Sequence, residues 1–168
     1  IIECDPRLLN FYKRSFPKYR EKFVSLGTIT NDDDEFKKID YIIYAGSLGR
    51  YYRKNIKDFK NNSFLKVDEK KLEEMKRKLS IYKKKYKIGL SWKSFSDKFA
   101  TDKSLNLKDL KKVFSLTDCD IFNLQYGVVE DEINSFNNTA KNKLLSIEGL
   151  DLYNDFEKIG SLLKELDI

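Results

Sequence analysis

The residue pattern of this chain predicts an α/β fold with mostly parallel sheets, and three observations carry that prediction. Short apolar runs alternate with stretches of helical periodicity from one end to the other. Two of the runs, YIIY at 41–44 and IGL at 88–90, contain no polar alternation, which is how a strand buried on both faces reads. A polar, unpatterned stretch at 60–63 divides the series, so two such sheets are expected one after the other.

Residues 1–4 read as the tail of a strand that delivers Glu3 or Asp5 at its carboxyl end. Pro6 opens a helix, where its missing amide costs nothing; Leu8, Leu9 and Tyr12 supply an apolar face, and Pro17 stops it. Residues 22–26 form a second short strand closed by Gly27. The acidic run at 31–35 is a helix start or a surface loop. Asp32, Asp33 and Asp34 are not read as a metal cluster, because nothing apolar surrounds them and no partner ligands are evident. Residues 40–45 are the clearest strand of the first part, after which Gly46, Ser47, Leu48 and Gly49 turn the chain toward a basic helix through Arg50 and Arg53.

Beyond the polar stretch, Leu72, Met75, Leu79 and Tyr82 fall on one face of a surface helix. It leads into KIGLSWKS at 87–94, the stretch around which the chain is organised. An apolar strand ends there in a hydroxyl, the single tryptophan and a lysine, at the end of a parallel sheet where ligands bind. The same octet also describes an ordinary strand end with an aromatic packed over the next helix. Residues 94–103 form a charged loop, and Asn106 then caps a helix carrying Leu107, Leu110, Val113 and Phe114. A strand at 120–124, a short helix at 130–136 and a short strand at 144–147 follow. Asn154 caps the last helix, with Glu157 at the capping-box position and Phe156, Ile159, Leu162, Leu163 and Leu166 as its buried stripe. Leu166, Asp167 and Ile168 look like the start of another strand, and Ile1 already lies inside an apolar run. Both ends therefore read as cuts in a longer chain.

Composition narrows the function classes. No apolar run is long enough to span a bilayer. The chain lacks histidine, and Cys4 and Cys119 show no disulfide spacing, which excludes the usual zinc sites and Cys–His catalysis within this segment. Two unpaired thiols fit a reducing, cytoplasmic protein. The formal net charge of +6 comes from 33 basic and 27 acidic residues, most of the basic ones lysine. Planar arginine forks, which phosphate and base recognition favour, are scarce. Basic runs such as Lys83, Lys84, Lys85 and Lys87 read as solvated faces, so nucleic acid is not an expected partner.

Seven pieces in order carry a family resemblance: ECDPRLLNFYKRSFP, DYIIYAGSLGRYYRKN, FLKVDEKK, KIGLSWKS, KSLNLKDL, FNLQYG and DLYNDFEKIGSLLKELDI. Together they resemble bacterial GT-B glycosyltransferases often attached to tetratricopeptide repeats, similar to the heptosyltransferase family and more remotely to protein O-GlcNAc transferases. The resemblance implies parts of two Rossmann-like domains, truncated at both ends: 1–60 from the acceptor-side domain, 61–85 a linker and connecting helix, and 86–168 from the nucleotide-sugar-binding domain. It implies inverting transfer of a sugar from a nucleotide-sugar donor to a hydroxyl on a glycan or protein, without metal or other cofactor. Tetratricopeptide repeats upstream are implied as possible neighbours, and this segment by itself is expected to be inactive, because the family's usual base lies in the missing part of the first domain.

The resemblance also assigns positions. Ser91, Trp92 and Lys93 match the strand-end motif beside the donor. Ser91 and Ser94 would donate to phosphate or sugar oxygens, and Lys93 or Lys103 would offset charge on the departing diphosphate. Lys103 and Ser104 match a position that is commonly Arg-Ser, so a planar fork is lost there. Gln125 matches a glutamine placed to read the base or ribose edge, or else an amide that caps its strand. Gly46, Ser47 and Leu48 match the segment facing the cleft from the acceptor side, although a plain turn explains them equally well. Asp155 matches the acid that opens the last helix and is taken as structural. Two other classes compete. One is an S-adenosylmethionine-dependent methyltransferase, suggested by the acid after the first strand and by DYIIYAGSL; the other is a basic scaffold or binding module.

Overall fold

A computed structural model describes residues 1–30, 32–34, 36–60, 63–95, 103–115 and 118–168. The middle of the polar junction at 60–63, both ends of the acidic run at 31–35, most of the 94–103 loop and the Val113 side chain lie outside the described residues. The chain forms a mixed α/β structure that divides into two units, Ile1–Lys66 and Val67–Ile168.

In the first unit, β1 (Ile2–Cys4) and β2 (Phe23–Ser25) pair in parallel, with Ile2 opposite Phe23 and Cys4 opposite Ser25. Asp5 follows β1 and accepts from the Arg7 amide at 2.9 Å, setting the 3₁₀ turn in which Pro6 is the first residue. Helix α1 (Leu9–Ser15) packs Phe11 inward, and Pro17 both ends it and opens a further 3₁₀ stretch, Pro17–Lys22. Tyr12 and Phe16 stack on Phe23 at 5.6 and 5.9 Å between ring centroids. Gly27 closes β2 with a φ of 79°, a backbone state that glycine adopts without penalty.

The expected strand at 40–45 does not form. Residues 41–44 belong to no ladder, and Tyr41, Ile42, Ile43 and Tyr44 are exposed, Tyr41 to 92%. Helix α2 (Ala45–Tyr52) begins directly after them, so Gly46, Ser47 and Leu48 occupy its opening turn instead of a loop. An unbroken apolar run is suited to burial on both faces, but burial needs neighbouring strands and covering helices, and the two-stranded sheet of this unit supplies neither to this segment.

The second unit is a three-stranded parallel sheet with helices on both faces. Helix α3 (Glu69–Leu79) starts at Asp68, which accepts from the Lys71 amide at 3.1 Å, and buries Met75 and Leu79 as their spacing predicts. The elements that follow are β3 (Tyr86–Leu90), α4 (Leu107–Ser115), β4 (Cys119–Asn123), α5 (Glu130–Thr139), β5 (Leu144–Leu145) and α6 (Phe156–Lys164). The strand order is β3-β4-β5, with Ile88 opposite Ile121 and Ile121 opposite Leu144. Along the free edge of β3 the last residues run as a further pairing segment: the Asp167 amide donates to Lys87 O and the Gly89 amide to Ile168 O, both at 2.8 Å.

Strand β4 is buried throughout and alternates between two cores. Cys119 and Ile121 face Leu107 of α4, Ile133 and Phe136 of α5, and Trp92. Phe122, on the other face, packs with Met75 and Leu79 of α3 and Leu162 of α6, and the Tyr82 ring meets it edge-on at 5.1 Å. Gly89 lies where the Leu124 and Leu166 side chains close over β3, and a Cβ there would collide with both. Helix α6 is capped by Asp155, which accepts from the Lys158 amide at 3.0 Å, and not by Asn154. Asn154 is occupied by Asp151, to which its amide and side chain donate at 3.0 and 2.8 Å. Among the described residues no helix is long and apolar enough to cross a membrane.

Candidate functional site

Strands β3 and β4 end level with one another, Leu90 opposite Asn123, so the loops that follow them emerge side by side at the carboxyl end of the sheet. Gln125 joins these loops. Its Oε1 accepts from Ser91 Oγ at 3.0 Å, the Trp92 amide at 3.0 Å and the Lys93 amide at 2.7 Å, while its Nε2 donates to Tyr126 O at 3.1 Å. Two backbone donors aimed at one atom require an oxygen there, which settles the orientation of the side-chain amide. The residue is 1% exposed, and its own backbone amide donates to Asn123 Oδ1 at 2.8 Å.

This arrangement changes the parts that several predicted residues play. Gln125 does not present an open edge; its amide is a buried clasp that shapes the loop at 91–93. The hydroxyl proton of Ser91 is committed to Gln125, so toward a ligand its oxygen accepts instead of donating. Trp92 is buried in the core between α4 and α5 and is a packing residue. Ser94 and Ser104 meet directly, the Ser94 amide donating to Ser104 Oγ at 3.1 Å, and the Leu105 amide donates to Trp92 O at 2.8 Å. The structure thus gathers Ser91, Trp92, Lys93, Ser94, Ser104 and Gln125 at one end of the sheet, with Lys103 exposed beside Ser104. Gly46, Ser47 and Leu48 lie in the first unit, exposed in the opening turn of α2.

Lys93 forms an ion pair with Glu132, in the first turn of α5, a residue that sequence reasoning missed. Burial pushes the Glu132 carboxyl up, but hydrogen bonding to Lys93 and Trp92, the Lys93 charge and the Leu107 amide outweigh it and hold the pKa below the usual carboxylate range. The Trp92 indole N–H is buried with no acceptor in full hydrogen-bond geometry, yet it stands near enough to the carboxylate to favour its charge. Lys93 is therefore a neutralised cation, and an incoming phosphate has to compete with Glu132 for it.

Beside this cluster a cleft of about 290 Å³ opens between the ends of β4 and β5. Ile133, Ile147 and Leu150 form apolar walls, while Asn123, Ser146, Glu130 and Asp151 supply polar groups. At its mouth Tyr126 and Tyr153 stand with ring centroids 5.6 Å apart, and Phe95 lies 5.4 Å from Tyr126. Gly127 lies under the Phe95 ring with a φ of 93°, so the close approach and the backbone state both call for glycine. Asp151 is a loop-shaping acid: bonds from the Asn154 side chain and from the amides of Tyr153 and Asn154 keep its pKa low. Among the described residues the cleft is lined by two carboxylates and no cation. It suits an uncharged, hydroxyl-bearing ring system better than a phosphate. Sequence reasoning missed this cleft; the signal that could have marked it is the tyrosine–glycine pair directly after the FNLQ strand end, together with the aromatic and acid in DLYND.

Among the described residues no group of three or more histidine, cysteine, aspartate or glutamate side chains is placed to hold a metal ion. Comparison of the chain with protein-family models, curated proteins and solved structures gives no match.

Proposed function

We propose that this chain carries the donor-binding half of an inverting, metal-independent glycosyltransferase of the GT-B kind, which moves a sugar from a nucleotide-sugar donor to a hydroxyl acceptor on a glycan or protein. The observation that carries the reading is the aromatic-mouthed cleft at the carboxyl end of a parallel sheet, adjoining a strand-end cluster of hydroxyls and lysines. In this reading the nucleoside lies in the cleft. Its base stacks at Tyr126, its ribose hydroxyls meet Asn123, Ser146 or Asp151, and the diphosphate extends over Gln125 toward Lys93 and Lys103. Gln125 acts as a positioning residue that fixes the loop bearing Ser91 and Lys93. Gly46, Ser47 and Leu48 remain the acceptor-side candidates.

Of the features behind the methyltransferase reading, Glu3 stays exposed in β1, while the other acid and the later strand are changed. Asp5, which would hold the cofactor's ribose, is taken up by the Arg7 amide and guanidinium, whose hydrogen bonds hold it at a pKa of about 2. The DYIIYAGSL segment is not a strand.

Isothermal titration with uridine, guanosine, adenosine and cytidine diphosphates, alongside S-adenosylmethionine, tests the proposal. One diphosphate is expected to bind, and Tyr126→Ser to weaken it by about tenfold, the value of one lost base–aromatic stack. Binding of S-adenosylmethionine with no diphosphate binding overturns it.

A further inference from the structure

Residues 66–87 hold ten basic and four acidic side chains, so this one segment carries the chain's entire formal net charge of +6, and the remaining 23 basic and 23 acidic residues balance. The bias sharpens toward its end: residues 76–87 include seven cations and no acid. They form the last turn of α3 and the connection into β3, at the amino end of the second unit's sheet. The candidate cleft lies at the opposite end.

A second cleft, of about 280 Å³, opens at this basic end, bordered by Lys76, Lys83, Lys84 and Lys87 with Ser80 and, as the one carboxylate among the described residues, Glu165. Two of these ammonium groups are already held, Lys76 by Glu73 at 2.7 Å and Lys84 by Asn142 Oδ1 and Cys119 O at 2.8 and 3.2 Å. Arg77, Lys83, Lys85 and Lys87 have no acidic partner among the described residues. At the tip of the connection Ile81 is 72% exposed, and Tyr86 is exposed with the Lys85 ammonium 4.9 Å from its ring centroid.

We propose that this end of the second unit docks on an anionic membrane surface. The charge is almost all lysine, compact point charges suited to diffuse attraction by lipid headgroups, with one arginine among the seven cations. An exposed isoleucine at the tip, with a tyrosine beside it, is the combination that enters the headgroup boundary while the ammonium groups stay in water. Single-stranded nucleic acid calls for a row of stacking aromatics along the basic track, and this patch offers one exposed tyrosine. Docked in this way, the second unit turns its candidate cleft away from the lipid.

Vesicle co-sedimentation of the full chain tests the proposal, comparing phosphatidylcholine vesicles with ones containing about one third phosphatidylserine. Binding to the anionic vesicles is expected to be at least about tenfold tighter than to the neutral ones and to weaken steadily as salt is raised. The combined variant Arg77→Gln, Lys83→Gln and Lys85→Gln, all at exposed positions, should lose about a hundredfold, near fivefold per charge. Ile81→Ser should weaken binding without altering the salt dependence. Equal binding to neutral vesicles, no binding to anionic vesicles at low salt, indifference to the triple variant, or displacement from the vesicles by an equally charged single-stranded RNA each overturns the proposal. The salt titration of the unaltered chain decides the matter even where a variant is less stable. Tyr126→Ser, which tests the cleft at the other end, should leave vesicle binding unchanged, so the two proposals stand or fall separately.

Discussion

The two units begin from the same sequence grammar, a strand, a helix and a strand in parallel, and finish in different states. In Val67–Ile168 three strands and a terminal pairing segment give β4 neighbours on both edges and helices on both faces, and Ile121 and Phe122 are fully buried on opposite sides. In Ile1–Lys66 two strands give a core whose buried apolar residues, among those described, are Phe11 and Phe23, while the most apolar run of the unit, 41–44, remains in solvent. An apolar run therefore records a capacity for burial, and the number of partners available decides whether it is used. The polar arrangements differ in the same way. Gln125 can collect three donors because two parallel strands end beside each other, whereas Asp5 at the end of β1 turns back on Arg7, two residues away.

Trp92 is the single tryptophan and lies in the second unit's core, so its fluorescence reports on that unit and makes the comparison measurable. The largest effect is expected from Phe122→Ala, a cavity between α3, α6 and β4 that should cost about 3–5 kcal/mol in a denaturant titration. Phe11→Ala should leave the tryptophan transition in place; a common loss in both variants would mean that the two units unfold together. Next is Gln125→Leu, which strands the Trp92 and Lys93 amides without an acceptor and should cost about 1–3 kcal/mol by the same titration. Gly89→Ala follows, at about 1–3 kcal/mol, because the new methyl meets Leu124 and Leu166; pairing it with Leu166→Ala should recover part of the loss.

Acid should weaken the second unit on a smaller scale. Glu132 and Asp155 both have folded pKa values below their ordinary ones: burial acts upward in each, and it is outweighed by Lys93 and Trp92 at Glu132 and by Lys158 and Lys71 at Asp155. Their contribution is thus complete above the ordinary carboxylate range and is lost as pH falls through the lowered values. The tryptophan transition should weaken as pH falls below the ordinary carboxylate range, and Glu132→Gln should flatten that dependence. The smallest effect is expected at the exposed run, where Ile43→Ser should change stability by no more than about 0.5 kcal/mol. A loss several times larger would show that the run is covered in solution and would break the contrast between the units.

Much of the second unit was legible because periodicity and burial coincide there. Met75 and Leu79 fell on the predicted face of α3, and IFNL marked β4 because every residue of that strand is enclosed. The 41–44 run was misread by the same rule, since pattern carries no information about how many strands surround it. The cap of α6 was placed one residue early because Asn154 and Asp155 are both good capping residues, and only the bonds from Asn154 to Asp151 decide between them. At the candidate site, the strand end at 91–94 and the participation of Ser104 and Gln125 could be located from sequence. Their partners could not. That Lys93 is neutralised by Glu132, and that Tyr126 meets Tyr153 across the cleft mouth, follows from the packing of α5 and the loop after β5, which no local pattern encodes.

The central claim is that a nucleoside diphosphate is held at the carboxyl end of the second unit's sheet. Amide chemical-shift mapping of the isotope-labelled chain, titrated with the diphosphate that binds, tests that placement residue by residue. The account predicts shifts concentrated at 123–127, 146–153 and 91–94, and quiet signals at 76–87 and throughout the first unit. Shifts centred on Lys83 and Lys87, or on α2, would contradict it.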